Sequence, residues 1–133
     1  MVILFDMYNL SDDIFEVIFA TEQQTKVGKM LIDTLKGHGG VLGKTEMSLF
    51  ATRVHDGTIF EIEDEGPIKR KQTEKISYNK RQFYDRILTP MKSMGMIDYD
   101  LYKKVYKLSD RFNKNMLKVG LMWVQEVRDS LPS

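Results

Sequence analysis

Five side chains within eight residues, Asn79, Lys80, Arg81, Gln82 and Arg86, carry the densest set of hydrogen-bond donors in the chain. Guanidinium and carboxamide groups form two-point hydrogen bonds to flat polar edges, and ammonium groups attract phosphate. More cations follow at Lys103, Lys104 and Lys107, and a run precedes them at Lys69, Arg70 and Lys71. The chemistry these residues offer is recognition of a polyanion.

Residues suited to a reaction are sparse. His38 and His55 stand in neither HxxxH nor HExxH spacing, so they do not read as metal ligands. Glu61, Glu63, Asp64 and Glu65 could gather a hard cation but read as a solvated turn. The chain has no cysteine, which excludes disulfides, thiol catalysis and a cysteine-built zinc site. The run GHGGVLGKT, residues 37–45, imitates a phosphate-binding loop. In G-x-x-x-x-G-K-[ST] the first glycine would fall at residue 38, which is His38, and a helical pattern rather than a strand precedes it. It therefore reads as a loop between helices, and the expectation is a protein that is not an enzyme and has no metal or cofactor.

The elements that must position the donors follow from hydrophobic spacing. Phe83, Ile87, Met91 and Met94 recur at i, i+4, i+8 and i+11, one apolar stripe of a helix capped by Ser77 or Asn79. Arg81, Gln82 and Arg86 project away from that stripe. Pro90 lacks an N–H and its ring clashes with the Arg86 carbonyl, so a kink or break is expected near Thr89. Gly95 suits a left-handed C-cap, and Met96 to Tyr99 and Lys104 to Leu108 then read as a basic hairpin turning at Asp100 to Tyr102.

The order helix, glycine, apolar pair, basic hairpin resembles the recognition helix and wing of winged helix-turn-helix proteins. MKSMGMI is similar to the family's apolar, two polar, apolar, Gly, apolar, Ile ending of that helix. The resemblance covers about a quarter of the chain. It implies double-stranded DNA as partner, with residues 79–86 in the major groove. Arg81 and Arg86 would read guanine, Gln82 and Asn79 adenine, and Lys80, Lys103, Lys104, Lys107 and Lys69 to Lys71 would hold phosphates. Members of the family also bind protein instead of DNA, and a protein-interaction module is the alternative.

Upstream, Ser11 followed by two aspartates predicts a helix start before the apolar ridge Ile14, Phe15, Ile18 and Phe19, which suits a core or a dimer surface equally. Val27, Met30, Leu31, Ile32 and Leu35 place the first helix of the core over Thr21 to Lys36. A second helix opens at Thr45 and would bury Met47, Leu49, Phe50 and Val54. Residues 57–75 then intervene where the family has a short turn. They read as an inserted hairpin, with strands at Thr58 to Ile62 and Ile68 to Thr73 and a turn over Glu63 to Pro67. Alternatively, Lys69 to Ile76 form the second helix of the motif. Residues 2–5 are apolar and suit a strand or a helix equally.

After Ser109 and Asp110 a long helix spreads Phe112, Met116, Leu117, Trp123, Val124 and Val127 over a wide face, which predicts a dimer contact, with packing on the chain's own core as the alternative. The expected architecture is mainly α with small β-hairpins (α+β), a single domain over 1–133. It comprises an extension at 1–20, a winged helix core at 21–108 and a dimerisation helix at 109–133. Charge agrees with that division: residues 1–66 hold 5 Lys+Arg against 12 Asp+Glu, residues 67–118 hold 14 against 5, and residues 119–133 hold 1 against 2. The middle segment is therefore +9 in a chain of net charge +1. Without a basic leader or an apolar run of membrane length, the chain reads as a cytoplasmic homodimeric transcriptional regulator with no membrane partner.

Overall fold

The computed structural model describes residues 6–63 and 71–130. Its elements are α1 (Ile14–Ile18), α2 (Glu22–Gly37), β1 (Val41–Gly43), α3 (Lys44–Asp56), β2 (Thr58–Glu63), β3 (Lys71–Ile76), α4 (Lys80–Phe83), a π-helical turn (Tyr84–Leu88), α5 (Thr89–Ser93), β4 (Ile97–Asp100), β5 (Val105–Leu108) and α6 (Arg111–Val127). The architecture is mixed α+β. Among the described residues no helix is long and apolar enough to cross a membrane. The apolar run 2–5, residues 64–67 of the turn expected over Glu63 to Pro67, and Ile68, Lys69 and Arg70 lie outside the described residues, while Glu63 is the last residue of β2 and not part of a turn.

Local chemistry explains most boundaries. The Thr21 side chain accepts from the Gln24 N–H at 3.1 Å and starts α2. Asp13 rather than Ser11 caps α1, because the Ser11 hydroxyl is engaged by the Asp13 N–H at 3.0 Å and donates to Glu16 at 2.6 Å. α1 is one short turn, and Phe19 after it is buried with its ring over Gly28, where there is no room for a Cβ. The ridge before α2 thus packs on the core through Phe15, Ile18 and Phe19, while Ile14 stays exposed.

The core is built from α2, α3 and the 80–93 helix over one face of a small antiparallel sheet of order β1-β5-β4. Val27, Leu31 and Leu35 of α2, Met47, Ala51 and Val54 of α3, and Phe83, Ile87 and Met91 are fully enclosed. The Phe50 and Phe83 rings join α3 to the 80–93 helix at 5.4 Å between centroids. Leu49, expected inside, is 59% exposed. Met47, Phe50, Ala51 and Val54 already complete an i, i+3, i+4, i+7 stripe, and Leu49 lies on the opposite side of the helix.

Other expectations change too. The glycine loop at 37–45 contains a strand: β1 pairs with β5 in the register Val41↔Lys107, Leu42↔Tyr106, Gly43↔Val105 and buries Leu42. The alternative second helix at residues 69–76 is replaced by β3, which pairs with β2 from Thr58↔Ile76 to Glu63↔Lys71. The strand therefore runs through Ile76 instead of stopping at Thr73, because Ile76 is buried and Tyr78 after it is too.

Of the kink or break expected near Thr89, the break does not occur; the helix departs from regular α geometry as the π-helical turn Tyr84–Leu88. Pro90 sits near the start of α5, and the Thr89 N–H reaches back to the Tyr84 carbonyl, five residues away, so the wider turn absorbs the lost donor. Phe83, Leu88 and Thr89 all keep right-handed helical dihedrals, and residues 80–93 continue as one rod. That rod ends at Met94 with two reversing bonds, Gly95 N–H to Lys92 O at 3.1 Å and Met96 N–H to Met91 O at 2.9 Å. This is the paired pattern of a glycine C-cap, with Gly95 at φ +84°.

Candidate nucleic-acid interface

The start of the 80–93 helix is fastened to the end of α3. The Tyr78 N–H donates to the Val54 carbonyl at 2.9 Å, the Ser77 hydroxyl to the His55 carbonyl at 3.3 Å, and the Lys80 N–H to His55 Nδ1 at 3.0 Å. His55 thus satisfies a helix-terminal donor from outside the helix, with its Nδ1 unprotonated. Asn79 caps its own helix, its Oδ1 accepting from the Gln82 N–H at 3.2 Å. Gln23 of α2 also donates to the Ser77 carbonyl.

These contacts reassign two of the expected donors. The Lys80 ammonium donates to Thr52 Oγ1 at 3.1 Å and Ser48 Oγ at 3.3 Å, so it lies along α3. The Asn79 oxygen is committed to the cap. Arg81, Gln82 and Arg86 are exposed, and Arg81, 92% exposed, meets only Asp85 at 3.9 Å. An ion pair so solvated and so long holds the guanidinium weakly. Three polar side chains of the 80–93 helix are thus available to an outside ligand along its first two turns.

The second group of cations sits on the β4–β5 hairpin. Asp100 organises its turn, with Oδ1 accepting from the Tyr102 N–H at 2.9 Å and the Lys103 N–H at 3.1 Å. The Lys103 N–H bond is the chief reason the Asp100 carboxyl is held below its usual range; the Tyr102 bond and the nearby Lys103 and Lys107 charges act with it against a smaller desolvation effect. Lys104 takes φ +54°, which lets its N–H close on the Asp100 carbonyl at 2.8 Å while its own carbonyl accepts from the Lys44 N–H at 3.0 Å. The turn is therefore fixed to the first residue of α3. Lys103, Lys104 and Lys107 are exposed, and Tyr102 at the tip is 97% exposed.

Behind the turn, the Tyr99 and Tyr106 rings stack at 4.6 Å, and the Lys92 ammonium stands 5.9 Å from each centroid. Burial raises the Tyr106 hydroxyl above its ordinary pKa, and the neighbouring Tyr84 and Tyr99 add to the rise. Both rings bridge α5 to the hairpin and fix the angle between them.

Lys71 is the first residue of β3, opposite Glu63. Among the described residues no three of His, Cys, Asp and Glu gather as a metal site would require. His38 and Glu46 approach to 3.9 Å beside an open cleft of about 260 Å³ between α2 and α3, lined by Leu42, Leu49, Phe50 and Arg53.

α6 buries none of its residues. Phe112 and Val127 are half-buried, and Met116, Leu117, Trp123 and Val124 are exposed. Its start is held by the Ser109 N–H to the Met96 carbonyl and the Phe112 N–H to the Gly95 carbonyl, each 3.0 Å, and by Arg111 with Asp98 at 3.8 Å.

Sequence reasoning missed His55, Lys92 and the strand β1. Nothing near His55 in the chain signals its partner, which lies 25 residues away. The β1 signal, Val-Leu between glycines, is too short to register. No family model matches the chain, and no curated protein or solved structure matches it either.

Proposed function

We propose that the chain is a winged helix protein that binds double-stranded DNA as a homodimer and acts as a transcriptional regulator. The observation that carries this reading is the β1–β5 pairing. It links the strand before α3 to the hairpin after the 80–93 helix, which gives the order helix, strand, helix, helix, hairpin and puts the basic turn beside the second helix. Exposed Arg81, Gln82 and Arg86 on the third helix, with Lys103, Lys104 and Lys107 on the hairpin, support a nucleic-acid ligand over a protein one.

In this reading the first turns of the 80–93 helix enter the major groove. Arg81 and Arg86 offer paired donors to guanine, and Gln82 pairs with adenine. Lys103, Lys104 and Lys107 neutralise phosphates, joined by Lys69, Arg70 and Lys71 of the insertion. Phosphate contacts set position and salt dependence, and the helix side chains set sequence preference. Lys80 and Asn79 serve chiefly to hold the helix in place, and α6 supplies the homodimer contact.

Selection from random duplex followed by titration across a salt series tests this. Each phosphate contact adds about 0.9 to the logarithmic salt slope. The Lys103→Ala/Lys104→Ala/Lys107→Ala variant is expected to lose roughly two to three units of slope, while Arg81→Ala/Arg86→Ala flattens the preference among sequences. A parent that shows no salt-sensitive binding to duplex, or lysine variants that keep the parent's slope, would overturn the reading.

A further inference from the structure

α6 carries more apolar surface than its own chain uses. Of the sixteen exposed large hydrophobic residues among the described ones, seven lie on this helix. Only its first turn touches the rest of the molecule through backbone hydrogen bonds.

Gly120 stands in the middle of α6, where glycine weakens a helix relative to alanine. Among the described residues nothing requires it: a Cβ there would meet none of their atoms within 4 Å, and its φ is not in the left-handed region. At 100° per residue Gly120 falls at the centre of the stripe formed by Met116, Leu117, Trp123, Val124 and Val127. A bare backbone at the middle of an apolar stripe is what a close helix crossing needs.

We infer that α6 pairs antiparallel with α6 of a second copy of the chain, the two helices crossing at Gly120. This rests on the homodimer proposed above and gives it an arrangement. Charge favours this occupant: Arg111, Lys114 and Lys118 outweigh the N-cap Asp110, which pairs with Lys114 at 3.1 Å, and leave the start of α6 basic, while Glu126 and Asp129 outweigh Arg128 at its far end. Antiparallel pairing lays the basic half beside the acidic end and opposes the helix dipoles; parallel pairing stacks like charge on like.

Sterics point the same way. Each α6 begins on the body of its domain, and packed helices lie about 8–10 Å apart, less than the width of a domain of this size. A parallel pair would drive the two bodies together. The antiparallel pair puts them at opposite ends, with the two Arg111 roughly 27 Å apart at 1.5 Å per residue. That distance suits a two-fold protein whose DNA half-sites lie about one helical turn apart.

The chain has no cysteine, so single sulfhydryls report the arrangement cleanly. Asn113 and Val127 lie seven residues either side of Gly120, so each faces the other across an antiparallel pair. The Asn113→Cys/Val127→Cys variant is expected to form a covalent dimer under mild oxidation, and neither single variant is. Crosslinking of Val127→Cys alone means parallel helices, and absence of crosslinking in the double variant means no such pair; either overturns the inference. Gly120→Leu, which has open space in one chain, is expected to leave the monomer folded and weaken self-association at least tenfold; unchanged association overturns the crossing. Neither measurement uses DNA, so failure of the nucleic-acid reading leaves them intact, and sizing of the untreated parent separates loss of the dimer from a wrong arrangement.

Discussion

Gly95→Ala should be among the more damaging single-methyl changes in this chain. Gly95 holds φ +84°, a region that costs an L-residue about 1–2 kcal/mol. The added Cβ would also stand 2.9 Å from Arg111 Cβ, 3.1 Å from the Phe112 nitrogen and 3.2 Å from the Arg111 carbonyl carbon. Two of those are backbone atoms of α6, and moving them stretches the 3.0 Å bond from the Phe112 N–H to the Gly95 carbonyl, worth about 1 kcal/mol. The expected loss is therefore about 2–4 kcal/mol. Gly39→Ala is the matched control. Gly39 has φ +70° with nothing within 4 Å of a built Cβ, so it loses only the dihedral part, about 1–2 kcal/mol. Urea unfolding of both variants, read as midpoint and slope, isolates the difference. If Gly95→Ala is no worse than Gly39→Ala, then α6 yields freely at its root and its placement is not set by this glycine.

Two other outcomes follow from the site. Lys80→Ala should lower stability by about 1 kcal/mol, from loss of the Thr52 and Ser48 hydrogen bonds, yet change the salt slope of DNA binding less than Lys103→Ala; the reverse order would return Lys80 to the phosphates. The Asp100 carboxyl has a lowered pKa in the folded chain, so its contribution to the hairpin turn is complete above the ordinary carboxylate range and lost as pH falls through the lowered value. Amide shifts of Tyr102 and Lys103 should move together in that acid window and stay flat in Asp100→Asn; a parent titration unchanged by the substitution would remove Asp100 as its source.

What could be read from the chain was whatever a single element decides by itself. The α2 stripe, the Phe83, Ile87 and Met91 face, the Gly95 cap and the hairpin turning after Asp100 are all local patterns, and the structure has each of them. Arg81, Gln82 and Arg86 were legible as exposed because they fall off that apolar face. What a second element decides was not legible. Lys80 falls at the edge of the stripe, but only Thr52 and Ser48, 28 and 32 residues earlier, show that its ammonium lies along α3. β1 exists because β5 pairs with it, since two residues between glycines have no strand signal of their own. Pro90 was read as a kink or break because a regular turn has no remedy for it, whereas one residue more per turn keeps the helix continuous.

The same distinction explains how α3 and the 80–93 helix meet despite the insertion between them. Gly57 leaves α3 and Ser77 returns to it, and the Val54–Tyr78, His55–Ser77 and His55–Lys80 hydrogen bonds close the gap. Between those points β2 and β3 pair with each other over six residues, so the described strands bond to one another and not to the sheet of the core. Closing a longer loop costs only about 0.6 kcal/mol per doubling of its length, less than one buried contact such as Phe50 on Phe83 contributes. Some twenty residues between α3 and the 80–93 helix therefore do not keep the two from packing at Phe50 and Phe83. Spacing along the chain is a poor guide to which helices pack together; the hydrogen bonds that bring Val54 and His55 to Tyr78 and Lys80 are a better one.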